Sequence, residues 1–69
     1  MKTSARNVFQ GVVKKIVRGA VNAEVTLQLP GGMEIVAIIT ITSLDDLKLK
    51  EGSPASAIIK ASNVLLAVD

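Results

Sequence analysis

The chain holds 69 residues, 49% of them hydrophobic, with a single aromatic side chain (Phe9), no Cys, no His and a net charge of +2. A chain this short makes one domain, residues 1–69, and on its own buries only about 60% of the surface its unfolded form exposes. Without Cys or His it lacks a disulfide scaffold, a thiolate zinc site and the commonest general base, which leaves oligomerisation as the staple and subunit interfaces as the place for surplus apolar surface.

Met1 to Asn7 has no apolar core behind its charges and does not read as a signal peptide. No apolar run approaches the ~20 residues of a membrane span, so a soluble cytoplasmic protein is the expectation. Val8 to Val17 reads as a first strand whose alternation slips around Gly11 and Lys14-Lys15, the mark of a bulge. Val21 to Leu29 alternates strictly, with Val21, Ala23, Val25, Leu27 and Leu29 on one face, and is a half-buried second strand. Pro30-Gly31-Gly32 is hairpin-turn chemistry. Met33 to Ile41 is a third strand, apolar on both faces and therefore in need of cover on both.

Thr42 to Leu47 predicts one helical turn, with a hydroxyl at its start, Asp45 and Asp46 early enough to suit its positive end, and Leu44 and Leu47 on one face. Lys50 to Pro54 is a turn, Ala55 to Lys60 a fourth strand, Ala61-Ser62-Asn63 a tight connection and Val64 to Val68 a fifth strand. Five strands with a short helix between the third and fourth is the order of a small all-β, OB-like Greek-key barrel.

Catalysis finds no support. There is no Ser-x-x-Lys spacing and no phosphate-binding Gly-rich loop, and Asp45-Asp46 read as helix-terminal charges. A nucleic-acid-binding module is the alternative that the fold permits. Such barrels stack bases on exposed aromatics, and Phe9 is the one aromatic present; Lys14 and Lys15 point to opposite faces of a strand. A small anion fits the residues better. Ser4 and Arg6 project to one side of an extended chain, Lys60 stands at the end of a strand beside a corner, and Thr40 and Ser43 flank a helix start with free N–H groups. Taken singly, each has a plainer reading: Arg6 and Lys60 as solvated charges, Ser43 as a helix cap, Ser4 as part of a frayed terminus.

Four blocks of the chain resemble one family. Ser4-Ala5-Arg6-Asn7 resembles the opening signature of the molbindins, the Mop-like members of the TOBE domain family. Gly19-Ala20-Val21-Asn22-Ala23-Glu24-Val25 is similar to their central block. Ile38-Ile39-Thr40 with Ser43 and Leu47 to Gly52 resembles the segment that follows, and Ala57 to Val64 the closing motif. The resemblance covers the whole chain in order. It implies a cytoplasmic protein that binds molybdate or tungstate for molybdenum storage and homeostasis, as a homo-hexamer built from a trimer of dimers, with no catalytic cofactor, no resident metal site and no nucleic-acid or membrane partner. Carried over by motif, Ser4, Ala5, Arg6, Thr40, Ser43, Lys60, Ala61 and Ser62 form one class of oxyanion site between subunits, with Ala61 contributing backbone N–H. Ala20, Val21 and Asn22 form a second class near symmetry axes.

Overall fold

The computed structural model describes all 69 residues, Met1–Asp69. Four antiparallel strands, β1 (Asn7–Arg18), β2 (Asn22–Gln28), β3 (Glu34–Thr40) and β4 (Pro54–Ile59), form one sheet in the order β3-β2-β1-β4. A single helix, α1 (Ile41–Asp46), follows β3, and a 3-10 turn, Ala61–Asn63, follows β4.

Strand β1 is shared between two partners. Its first half pairs with β4, from Asn7↔Ile59 to Val12↔Pro54, and its second half with β2, from Val12↔Gln28 to Arg18↔Ala23. The hand-over needs a close approach and a bulge. A Cβ on Gly11 would lie 2.4 Å from the Gln28 carbonyl oxygen, so only glycine lets β1 cross the end of β2. The register then shifts between Val13 and Lys15, which leaves Lys14 as the extra residue and free to pair with Glu34. The slip expected around Gly11 and Lys14 is thus two devices, a crossing and a bulge.

The alternation of β2 is expressed as burial. Ala23, Val25 and Leu27 are buried beside Val13 and Leu44, and their partners on β3 are Ile39, Ala37 and Ile35. Gly31 and Gly32 both take positive φ, 91° and 94°, in the turn that joins β2 to β3.

Four expectations are corrected around α1 and the C-terminus. The hydroxyl that caps α1 is that of Thr40, ahead of the expected Thr42–Leu47 turn, and not that of Ser43, whose N–H donates to Thr40 Oγ1 at 3.0 Å. The helix therefore starts earlier, its first turn holds no acid, and Asp45 and Asp46 fall at its end, where the dipole does not favour them. Leu44 is buried, but Leu47 is the C-cap and 65% exposed, so the two do not share a covered face. The helix closes by two bonds, Lys48 N–H to Asp45 O and Leu49 N–H to Leu44 O, with Lys48 at φ 53° in the left-handed position that glycine usually takes. Finally, Val64 to Val68 forms no strand. The order β3-β2-β1-β4 leaves β3 and β4 as unpaired edges, and Leu65, Leu66 and Val68 are more than nine-tenths exposed.

Only 5 of the 69 residues are buried, and the accessible surface is 5596 Å². A monomeric globular protein of 7.2 kDa exposes about 4,100 Å². Val36 and Ile38, on the outer face of β3, are among the side chains left uncovered.

Candidate functional site

The β1–β4 ladder ends at Asn7↔Ile59, and the next residue on each chain segment is a cation, Arg6 on one and Lys60 on the other. They flank an open cleft of about 600 Å³. Its other lining residues are Thr3, Ser4, Ala5, Ile58, Ala61 and Ser62. Six sequence-derived candidates, Ser4, Ala5, Arg6, Lys60, Ala61 and Ser62, therefore meet in one place although more than fifty residues separate the two segments.

Local geometry sets the donors. Ala5 donates its N–H to Thr3 Oγ1 at 3.1 Å, a hydroxyl turn that shapes the segment ahead of β1. The bonds that close the 3-10 turn run from the Asn63 and Val64 N–H groups, so it does not use those of Ala61 and Ser62. No carboxylate lines the cleft. The two ion pairs of the molecule, Lys14–Glu34 and Arg18–Asp45, lie elsewhere, so neither Arg6 nor Lys60 has an acidic partner. The result is a concentration of hydrogen-bond donors: a guanidinium, an ammonium, hydroxyls and turn amides.

Thr40 and Ser43 are not part of this cleft within one chain. They sit at the far end of β1, a strand of 12 residues that runs on the order of 40 Å along its contour. There they keep company with the other candidate group: Asn22 pairs with Thr40, and Ile41 donates its N–H to Val21 O at 2.9 Å. Ala20 lies in the same β1–β2 connection. Thr40 Oγ1 also donates to Ser43 Oγ at 2.9 Å, which leaves the Ser43 hydroxyl proton free to point outward.

Sequence reasoning missed Thr3, although a Thr hydroxyl can bond the backbone two residues on, as Thr3 does with the Ala5 N–H. It also gave no role to Asn7. Phe9 is 39% exposed and stands alone, so the sheet offers no run of aromatics for bases to stack on.

The family model of the TOBE domain matches residues 3–66, a range that takes in both sides of the cleft. The molybdenum transport protein ModE of Herbaspirillum seropedicae is 51% identical over 69 residues, 100% of this chain and 26% of that protein. Molybdenum-pterin-binding protein 3 of Clostridium pasteurianum is 41% identical over 66 residues, 96% of this chain and 97% of that protein. Among solved structures, the molybdate-bound form of the cytoplasmic molybdate-binding protein ModG is similar with a TM-score of 0.97 and 55% identity, over 100% of this chain and 49% of that one. The chain thus spans about a quarter of the transport protein, half of ModG and nearly all of the Clostridium protein.

Proposed function

Because the chain belongs to the TOBE domain family, we propose that it binds molybdate, or the closely similar tungstate, in the cytoplasm and holds it for molybdenum storage and homeostasis. It acts as a binding protein and not as an enzyme, in keeping with relatives named for binding and transport. The cleft between Arg6 and Lys60, rich in donors and lined by no carboxylate, carries the proposal.

Molybdate at neutral pH is a tetrahedral dianion whose four oxygens only accept hydrogen bonds. Arg6 and Lys60 offset its charge with charge-assisted bonds, and the hydroxyls of Ser4 and Ser62 with the Ala61 and Ser62 amides add neutral ones. Monohydrogen phosphate brings a proton that needs an acceptor, and no carboxylate lines the cleft to provide one. Sulfate matches the charge and is discriminated by size, because the smaller ion leaves some donors out of reach.

The complete site belongs to an assembly of copies, for which a hexamer made as a trimer of dimers is our reading. The chain exposes about 1,500 Å² more than a monomer of its mass should, close to twice what one partner contributes to a standard interface. A groove of about 400 Å³ opens between the two sheet edges, lined by Val25 and Leu27 of β2, Ile35 and Ala37 of β3 and Ala55 and Ala57 of β4. It has the position of a missing fifth strand. The apolar stretch Val64 to Val68, unpaired in its own chain, supplies that strand to a second copy and closes an OB-like barrel. Thr40 and Ser43 reach the Arg6–Lys60 cleft only from a neighbouring copy.

Calorimetric titration of the purified protein with molybdate, sulfate and phosphate tests the binding. Saturable binding of molybdate with little response to the other two is expected; equal weak responses to all three would reject the selectivity. Sedimentation tests the assembly. The full chain should run as a multiple of 7.2 kDa, and a chain ending at Asn63 should fall to a smaller species; an unaltered mass after truncation removes the strand-donation scheme.

A further inference from the structure

We propose that Asn7 is a positioning residue for the anion cleft: it clamps the end of β4 to the start of β1 and so holds Arg6 and Lys60 side by side before any ligand arrives. The proposal rests on the oxyanion reading of that cleft. The Asn7 Nδ2 donates to the Ile59 carbonyl oxygen at 3.1 Å, a part-buried bond between residues 52 apart in sequence. No other side-chain hydrogen bond resembles it. The rest either span three residues or fewer, or belong to the two exposed ion pairs.

Its place explains its use. Asn7↔Ile59 is the last pair of the ladder, and the Ile59 carbonyl belongs to the peptide that leads directly into Lys60. Beyond it no backbone pairing restrains the two segments. Two like charges at the ladder's end repel each other, so in the free protein the segments tend to part. The Asn7 amide opposes that fraying at the point where it begins. A cleft ordered in advance binds its guest more tightly than one that must be ordered on binding. Asn7 acts through Arg6 and Lys60, since it does not itself line the cleft.

Titration with sodium molybdate, on the full chain and on Asn7→Ala, Arg6→Ala and the double variant, tests the proposal. Asn7→Ala should weaken binding about 2- to 12-fold, the range of one ordinary hydrogen bond. In the Arg6→Ala background the same change should cost less than twofold, because the repulsion that Asn7 opposes is gone and only Lys60 is left to position. Amide hydrogen exchange across the last β1–β4 pairs, Asn7 to Phe9 and Ala57 to Ile59, should quicken in free Asn7→Ala and return to the parent rate once molybdate saturates the site. Asn7→Leu, which keeps bulk without the donor, takes its place if the smaller side chain unfolds the protein. Unchanged affinity in Asn7→Ala beside a strong loss in Arg6→Ala overturns the positioning role. So does an equal loss in both backgrounds, which would mark Asn7 as merely structural. An Arg6→Ala chain that binds as the parent does overturns the oxyanion reading instead, while the exchange rates still decide whether Asn7 holds the two segments together.

Discussion

The two arginines at the ends of β1 have opposite fates. Arg18 closes the strand and is spent: its Nη1 and Nη2 lie 3.2 and 3.5 Å from the carboxylate oxygens of Asp45 on α1. Arg6 stands one residue ahead of the strand and has no carboxylate within reach; what the fold brings beside it is a second cation, Lys60. Residue type does not separate them. The neighbouring element does: the sheet turns into a helix with an acid near one end of β1, and into a 3-10 turn with unused amides near the other. The fold neutralises one end of β1 and leaves positive charge uncompensated at the other, which is the asymmetry the proposed anion site draws on.

The largest effect should come from exchanging the roles. Arg6→Ala removes a charge-assisted bond, about 1.5–3 kcal/mol or roughly 10- to 150-fold in molybdate affinity. The melting temperature should hold, because Arg6 is exposed and its side chain makes neither an ion pair nor a hydrogen bond. Arg18→Ala should do the reverse. Its pair with Asp45 is more than half exposed on both sides, so stability falls by only about 0.2–1 kcal/mol, and affinity should stay within about twofold. Titration and thermal melting on the two variants read both quantities. A comparable loss of affinity in both would abolish the distinction between the ends.

The distinction was half legible in the sequence. Strand β2 could be read almost to the residue because its alternation is also its burial pattern, and the turn at Gly31-Gly32 because few other residues take that backbone. The six cleft residues could be named because the motifs that carry them resemble a family's. That Thr40 and Ser43 lie at the other end of β1 could not be read, since it depends on the hand-over of β1 from β4 to β2, which rests on Gly11 and on one unpaired lysine. The cap was misplaced for a related reason. Thr40, Thr42 and Ser43 all carry a capping hydroxyl, and only the extended backbone of Thr40, φ −72° and ψ 154°, sets it apart as the cap. Val64 to Val68 reads as a strand by every local rule, yet within one chain it pairs with neither open edge, β3 or β4, and whether a segment finds a partner is not written in its local pattern.

The smallest expected effects lie at the Thr40 end, and they sharpen the comparison most. Thr40 and Ser43 exchange two bonds, Ser43 N–H to Thr40 Oγ1 and Thr40 O–H to Ser43 Oγ, so one hydroxyl serves the helix and the other keeps a proton to offer. Thr40→Ala removes the cap and should cost about 1 kcal/mol, a drop of about 4–8 °C in melting temperature for a chain of this size, with Thr40→Ser restoring most of it. Ser43→Ala leaves the backbone bond to Thr40 intact and should barely move the melting temperature. If a neighbouring copy brings this end of β1 to the Arg6–Lys60 cleft, Ser43→Ala should still weaken molybdate binding, by the roughly 2- to 12-fold of one neutral hydrogen bond. Parent affinity in Ser43→Ala would mean that the two ends work independently, and that the anion is held by Arg6, Lys60 and the turn amides without a hydroxyl from the helix.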